Sequence, residues 1–177
     1  MNILESDYIK LRAIEPSDTE IIFRWENDSS IWKISNTIEP FSRYVIEQYV
    51  KNAQFDLIQS KQLRLMIDLK ETEKNNRTIG TIDLFDIDSL NQRAGVGILI
   101  HNKDDRNKGY AKETLEILIR YTRDILFLHQ LYCNIDEDNP ASIQLFEKLG
   151  FKKTGEKEDW IKTKQGWKDE WFYQLIL

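Results

Sequence analysis

The chain has 177 residues, of which 41% are hydrophobic, 11% aromatic and 31% charged, and its net charge is −5. These values predict a single globular domain over residues 1–177 and argue against disorder. The negative charge argues against nucleic-acid binding, and no apolar run approaches the roughly 18 residues of a membrane span. Cys133 is the one cysteine and no signal peptide is visible, so we expect a cytoplasmic protein without an intrachain disulfide.

The first third of the chain is predicted to form one strand and two helices. Residues 8–14 alternate apolar and polar side chains, a pattern typical of a half-buried strand. Ser17 and Glu20 have the spacing of a capping box, which predicts a helix capped by Ser17. Ser42 is the predicted N-cap of a second helix that runs to about residue 59.

The middle of the chain is predicted to form three strands. Residues 63–69 make the first of them. Residues 77–87 and 93–100 are predicted to pair as a long hairpin around a polar turn at residues 88–92.

Two features of this hairpin bear on function. Successive side chains of a strand point to opposite faces, so Asp83 and Asp86 are predicted to lie on opposite faces. Gly95 and Gly97 interrupt the second strand, and glycine within a strand commonly marks a bulge or a close backbone approach. We therefore expect an irregular segment that another extended chain can approach.

The last third of the chain is predicted to alternate helices with strands. A long amphipathic helix begins at Ala111. Asn139 is the predicted N-cap of a second helix, with Pro140 at its first position and Gly150 at its C-terminus. The predicted strands of this region are residues 131–135, 152–163 and 167–177, of which the last two form a hairpin.

A short basic loop, Arg106-x-x-Gly109-x-Ala111, precedes the long helix. Its small residues let the backbone pass close to a bound group, and the first N–H groups of a helix lack intrahelical partners. These N–H groups and the positive end of the helix dipole form an anion site. Arg106, Lys108 and Lys112 add positive charge. We predict a pyrophosphate-binding loop, with an ordinary charged turn as the alternative.

This loop and a later segment together resemble the GNAT acetyltransferases. The loop has the family's Gln/Arg-x-x-Gly-x-Gly/Ala pattern, which receives the pyrophosphate of acetyl-CoA. The later segment matches the family at Asn139, Ser142, Lys148, Gly150 and Phe151. The two segments have the order and separation that the family shows, and the spermidine and ribosomal-protein acetyltransferases are the branch most similar in pattern.

The resemblance implies the GNAT acyl-CoA N-acyltransferase fold, an α/β fold with a central mixed, mostly antiparallel sheet flanked by helices. It also implies acetyl-CoA as co-substrate and a bulged, splayed pair of strands that admits the pantetheine arm. The residues that it assigns to the coenzyme are Ile98, Leu99, Ile100, Arg106, Asn107, Lys108, Gly109, Tyr110, Ala111, Asn139 and Phe146.

The chain departs from the family at two positions that concern proton transfer. Many relatives carry Glu where this chain has Gly95, and Tyr, often called the general acid, where it has Phe146. Neither Gly nor Phe can transfer a proton. We therefore predict Asp83 as the catalytic base, with a solvated or cation-binding carboxylate as the alternative.

In the family, the first two helices close over the acceptor. The resemblance therefore predicts Trp25, Trp32, Tyr44 and Asp83 as substrate-binding residues, and packing of the helices on the sheet is the alternative role of the aromatic residues. Glu26 is a further candidate for binding a cationic substrate. The two histidines and one cysteine are well separated, so no metal site is predicted.

These features predict an N-acetyltransferase that acts on a primary amine of a small molecule, with a polyamine as one candidate. A first alternative is a protein N-terminal acetyltransferase of the ribosomal-protein type. A second is a CoA-binding module with weakened catalysis, which Gly95 and Phe146 motivate. The tryptophans of the terminal hairpin are compatible with a homo-oligomer.

Overall fold

The computed structural model describes residues 2–32, 37–53, 57–72 and 75–177, with residues 58 and 59 described by their backbone alone. The strands are β1 Ile9–Arg12, β2 Leu63–Thr72, β3 Asn75–Asp88, β4 Arg93–Ile100, β5 Gln130–Asp136, β6 Lys152–Thr163 and β7 Gly166–Ile176. These described strands form one sheet in the order β1-β2-β3-β4-β5-β7-β6. Neighbours run antiparallel except β4 and β5, which are parallel, so the predicted mixed sheet is confirmed.

Four helices longer than one turn lie among the described residues. They are α1 Thr19–Glu26, α2 Arg43–Asn52, α3 Tyr110–Asp124 and α4 Pro140–Lys148. The predicted caps of α2 and α4 are confirmed, because the side chains of Ser42 and Asn139 accept the backbone N–H groups of Val45 and Ser142, each at 3.2 Å. None of the described helices is both long enough and apolar enough to cross a membrane.

The sheet separates two hydrophobic clusters. Along β2, Leu65, Ile67 and Leu69 belong to the larger cluster, whereas Met66 belongs to the smaller one. The larger cluster contains residues of α3 and α4, and the smaller one contains residues of α1 and α2. Because successive strand residues point to opposite faces, α3 and α4 cover one face of the sheet and α1 and α2 cover part of the other.

Helix α1 begins later than predicted, and Ser17 does not cap it. A short 3-10 turn precedes the helix, and the backbone N–H of Glu15 donates to the carboxylate of Asp18 at 2.8 Å. Arg12 donates to both carboxylate oxygens of Asp18, at 2.7 and 2.9 Å. A local bond between Glu15 and Asp18 and the ion pair of Asp18 with β1 therefore hold the start of the helix, instead of the predicted cap at Ser17.

Helix α2 is shorter than predicted. It ends at Asn52, where the N–H of Ala53 donates to the carbonyls of both Tyr49 and Val50. Such a shared bond closes the last turn of a helix. A separate helical turn, Leu57–Ser60, follows, so the prediction of one continuous helix is wrong.

The alternation of side chains along β3 breaks at Asp86. Its φ is +48°, and the pairing with β4 shifts register just after Phe85. Ile87 consequently packs in the larger cluster, while the Asp86 carboxylate lies 3.5 Å from the Tyr132 hydroxyl, in a depression that Phe85 also lines. The prediction that Asp86 faces away from Asp83 is therefore wrong, because one irregular residue resets the alternation.

Gly80 lies at a bulge of β3, where the backbone of β4 comes very close. A Cβ at Gly80 would lie 2.1 Å from the carbonyl oxygen of Leu99 and 3.1 Å from the Cα of Ile100. Because both are backbone atoms, we expect Gly80→Ala to lower the free energy of unfolding by about 2–4 kcal/mol in urea denaturation. Gly155→Ala is the matched control, since its Cβ would meet the Cβ of Phe172 at an ordinary 3.5 Å. Equal stabilities of the two variants would contradict the close approach at Gly80.

Candidate active site

Strands β4 and β5 pair only at their first residues. The paired residues are Arg93 with Gln130, Ala94 with Leu131 and Gly95 with Tyr132. Beyond Gly95 the pairing stops, although β4 continues to Ile100 and β5 continues to Asp136. The predicted splay of these two strands is therefore present.

One edge of β4 borders the gap that the splay opens. The N–H of His101 donates to the carbonyl of Ile79, at the end of the β3–β4 pair, at 3.0 Å. In an antiparallel pair, alternate residues direct their N–H groups toward the partner strand. The N–H groups of Ile98 and Ile100 therefore point away from β3 and toward the gap. An extended ligand arm in the gap can pair with them as an added strand would.

The loop between β4 and α3 turns at two residues with left-handed backbone. Asn107 has φ +61°, and Gly109, the N-cap of α3, has φ +87°. The first intrahelical bond of α3 runs from the N–H of Glu113 to the carbonyl of Gly109 at 3.1 Å. The N–H groups of Tyr110 and Ala111 thus have no intrahelical acceptor. A Cβ on Gly109 would meet no described atom within 4 Å, so this end of the helix has room for a phosphate group.

Two arginines fix this loop to the sheet. The guanidinium of Arg106 donates to the carbonyls of Ile100 and His101, at 2.9 and 3.2 Å. Arg77 of β3 donates to both carboxylate oxygens of Asp105, at 2.7 and 2.9 Å, and the Asp105 side chain is 3% exposed. Part of the donor capacity of Arg106 is therefore used to hold the backbone. Sequence analysis did not identify the ion pair between Arg77 and Asp105.

We expect this ion pair to make stability depend on acid pH. Hydrogen bonds from Arg77 hold the pKa of the Asp105 carboxyl below its usual value. Such a carboxyl stabilises the fold above its unfolded pKa of about 3.9, and the contribution is lost as pH falls through the folded pKa. Asp105→Asn should lower the free energy of unfolding at neutral pH by about 1–2 kcal/mol and make its decline in acid less steep.

Urea denaturation at neutral and acid pH measures both effects. Asp104→Asn is the control, because Asp104 lies in the same turn but is exposed. The same loss of stability in the two variants would mean that the ion pair with Arg77 has no special role.

A cleft of about 470 Å³ lies on the face of the sheet that carries α1 and α2. Its walls come from α1, from the segment that follows it, and from β2, β3 and β4. Ile98 and Leu99 line the cleft, so the same strand borders both the cleft and the gap of the splay.

Arg64 of β2 lies in this cleft between two carboxylates. Its Nε and Nη2 donate to the two carboxylate oxygens of Asp83 at 2.6 and 3.3 Å, and its Nη1 donates to Glu26 at 2.7 Å. The register of β2 and β3 places Arg64 directly opposite Asp83. The ring centroid of Tyr49 lies 5.5 Å from the guanidinium carbon, within cation–π range.

Burial alters the protonation of the groups in and beside the cleft. It raises the pKa of the Asp83 carboxyl above its usual value, although the charge and hydrogen bonds of Arg64 act in the opposite direction. Burial also raises the pKa of Tyr49 to about 12 and lowers the pKa of His101 to about 4, so both are neutral at pH 7. A carboxylate with a raised pKa accepts a proton more readily than a solvated one. Asp83 therefore has a property expected of a general base.

A family model described as an acetyltransferase (GNAT) domain matches residues 9–152 of the chain. The chain belongs to the GNAT acetyltransferases. It is 28% identical over 177 residues to an uncharacterized N-acetyltransferase, p20, of Bacillus licheniformis, and the match covers 99% of this chain and 97% of that protein. It is 25% identical over 150 residues to the spermidine N(1)-acetyltransferase of Escherichia coli (strain K12), covering 84% of this chain and 75% of that protein.

The acetyltransferase also shares its fold with a solved structure. The crystal structure of spermidine N-acetyltransferase from Vibrio cholerae in complex with CoA and spermine aligns with a TM-score of 0.82 at 22% sequence identity, covering 97% of this chain and 96% of that one. The predicted resemblance, fold and enzyme class are thus confirmed, and the donor is acetyl-CoA. The splayed strands and the open end of α3 fit this donor.

The acetyltransferase brings only part of the predicted acceptor wall to the cleft. Trp25 lines the cleft and stacks on His101, with ring centroids 4.1 Å apart and planes 4° apart. Trp32 instead donates its indole N–H to the backbone carbonyl of Glu26 at 2.9 Å. Tyr44 is 67% exposed on α2 and is not among the described residues that line the cleft. The geometry supports Trp25, but not Tyr44, as a wall residue.

The structure gives a physical account of both departures from the family pattern. A Cβ on Gly95 would lie 2.2 Å from the ring of Phe85, so this ring occupies the space in which many relatives carry Glu. Phe146 is 4% exposed and packs edge-on against Phe151, with ring centroids 5.0 Å apart. It therefore leaves little surface for the predicted contact with the coenzyme.

Sequence analysis missed Arg64, the residue that organises the charges of the cleft. A signal was available, because alternation along β2 places a charged side chain on the same face as Met66. The partner Asp83 could not be identified, since that requires the register between two strands. Among the described residues, no group of three or more His, Cys, Asp and Glu side chains is placed to hold a metal ion.

Proposed function

We propose that this acetyltransferase acts on the primary amine of a small molecule bound in the cleft. The observation that carries the proposal is Asp83, whose side chain is 17% exposed and has a raised pKa, in the cleft that Ile98 and Leu99 also line. An alkyl amine resembling lysine has a pKa of about 10.4, so it must lose a proton before it can attack. Asp83 is proposed to take this proton, directly or through water.

The hydrogen bonds of Asp83 are compatible with this role. A carboxylate has about four acceptor positions, and Arg64 donates to one position on each oxygen of Asp83. The side chain of Gln62 hydrogen-bonds a third position, which leaves about one position for an amine or a water molecule in the cleft. Arg64 also keeps the carboxylate in one orientation, which favours a productive approach of the amine.

The proposed coenzyme site consists largely of backbone groups. The N–H groups of Tyr110 and Ala111, beside the open space at Gly109, suit the pyrophosphate, and those of Ile98 and Ile100 suit the pantetheine arm. The donor supplies the acetyl group as an activated thioester. The other coenzyme contacts, which stay predictions, are Leu99, Arg106, Asn107, Lys108, Asn139 and Phe146.

A second candidate function is acetylation of a protein N-terminus, and one feature favours it. Phe85 lines both the cleft and a neighbouring depression of about 540 Å³, which Tyr132, Phe172 and Lys157 also line. A polypeptide is long enough to extend from the cleft into this depression. A small amine would leave the depression unused.

Several finer features of the proposal stay predictions. A polyamine is a candidate acceptor because relatives of the chain carry spermidine acetylation in their names. Trp160 and Trp167 of the terminal hairpin are 59% and 57% exposed, which supports a homo-oligomer. The single domain over residues 1–177, the cytoplasmic location and the absence of a nucleic-acid partner rest on the sequence alone.

Thiol release from acetyl-CoA, measured with a panel of acceptors, tests the proposal. The panel contains monoamines, polyamines, amino acids, aminoglycosides and peptides with a free N-terminus. We expect release above background with at least one small amine and slower release with the peptides. Release with peptides alone would favour the second candidate, and no release with any acceptor would contradict both.

A further inference from the structure

We propose that Arg64 restricts the acceptor to amines that carry a single positive charge. The inference rests on the proposed function and narrows its substrate class, because it sets aside the polyamines named there as candidate acceptors. The two carboxylates among the described residues of the cleft, those of Glu26 and Asp83, both accept hydrogen bonds from Arg64. A second ammonium group on the acceptor would need a carboxylate partner of its own, and the guanidinium already occupies the space between the two.

The charges that line the cleft match one ammonium group. Among the described lining residues, the charged side chains are Glu26, Arg64 and Asp83. His101 also lines the cleft, and it is neutral at pH 7 because burial lowers its pKa to about 4. These described side chains therefore carry one net negative charge, which a monoamine balances and a diamine or triamine exceeds.

An incoming ammonium group cannot easily displace Arg64. Its side chain is 20% exposed, bonds to Glu26 and Asp83, and lies over the ring of Tyr49. Moving the guanidinium away would leave a largely buried charge without its partners, which is strongly unfavourable. Arg64 thus behaves as a built-in cation at the place where a polyamine would put its second charge.

Two acceptors of equal length test the inference. They are 1-aminobutane and 1,4-diaminobutane, which differ only in the second amino group. In the wild-type enzyme we expect kcat/KM for the diamine to be at most about one tenth of the value for the monoamine, because like charges repel in a desolvated cleft. Arg64→Gln should raise the ratio of diamine to monoamine kcat/KM by about tenfold, since the second ammonium then finds an unpaired carboxylate.

Arg43→Gln is the matched control, because Arg43 forms an ion pair with Glu20 on the surface, where both side chains are more than half exposed, at 52% and 57%. It removes the same charge from the chain but should leave the selectivity unchanged. Arg64→Lys keeps a cation in the cleft and should keep the preference for the monoamine. A wild-type enzyme that prefers the diamine, or a folded Arg64→Gln variant with the wild-type ratio, would overturn the inference.

A binding measurement separates this inference from the proposed function. Calorimetric titration of each amine into the CoA-bound protein does not require turnover. If no amine is acetylated but 1,4-diaminobutane binds Arg64→Gln more tightly than wild type, the proposed function fails and the charge selectivity stands. Urea denaturation reports whether Arg64→Gln folds. If it does not, the titrations of the wild type and of Arg64→Lys decide the question. Tighter binding of the diamine than of the monoamine to these proteins would overturn the inference.

Discussion

Replacing Asp83 by Asn is expected to lower kcat for amine acetylation by about 10²–10⁴-fold, the range typical of the loss of a general base. Burial raises the pKa of Asp83 above its usual value. In the wild-type enzyme, kcat/KM should therefore fall as pH decreases through that raised pKa, because the protonated carboxyl cannot accept a proton. The Asn variant should lose this acid limb. Initial rates of thiol release across the pH range measure both effects.

Asp83→Asn also weakens the hold on Arg64, so a control for that effect is needed. Glu26→Gln serves, because Glu26 accepts a hydrogen bond from the same guanidinium at 2.7 Å but has no proposed role in proton transfer. An equal loss of kcat in the two variants would attribute the effect to the position of Arg64. An unchanged kcat in Asp83→Asn would exclude Asp83 as the base without excluding the enzyme activity.

Replacing Gly109 by Val is expected to raise the dissociation constant of acetyl-CoA by about 10–100-fold. The backbone at Gly109 has φ +87°, a conformation that costs an L-residue about 1–2 kcal/mol. The new side chain would also enter the open space beside the N–H groups of Tyr110 and Ala111. Because a Cβ there meets no described atom within 4 Å, the fold itself should tolerate the change sterically. Calorimetric titration with acetyl-CoA measures the affinity.

Gly166→Val is the matched control for backbone strain. Gly166 also has a positive φ, +132°, and a Cβ there would likewise meet no described atom within 4 Å, but it lies at the turn between β6 and β7. Its replacement should leave the affinity for acetyl-CoA unchanged. A wild-type affinity in Gly109→Val would contradict the placement of the pyrophosphate at α3, and equal losses in the two variants would indicate a general effect of instability.

The local structure that depends on near neighbours in the chain was predicted well. Ser42 and Asn139 cap their helices as expected, because an N-cap bonds to a residue only three positions later. The loop from Arg106 to Ala111 was identified for the same reason, since a left-handed glycine and a helix start are local features. The two hairpins followed from strand patterns separated by short polar turns.

Predictions failed where distant contacts override local pattern. The predicted capping box at Ser17 was wrong because Asp18, which Arg12 of β1 holds by two hydrogen bonds, takes the capping role together with Glu15. The predicted side of the sheet for Asp86 was wrong because an irregular residue in β3 breaks the two-residue alternation of side chains. The substrate-binding role of Tyr44, which came from the resemblance to the family, stays a prediction, although its side chain is largely exposed to solvent.

By itself, the sequence determined the order of strands and helices and the position of the loop that starts α3 at Gly109, because these depend on residues a few positions apart. Only the tertiary structure decided that Arg64 joins Asp83, 19 positions away, to Glu26, 38 positions away. It also decided that the ring of Phe85 fills the space above Gly95. Both arrangements depend on strand register and on the packing of α1 over the sheet, which bring together residues that no local pattern connects.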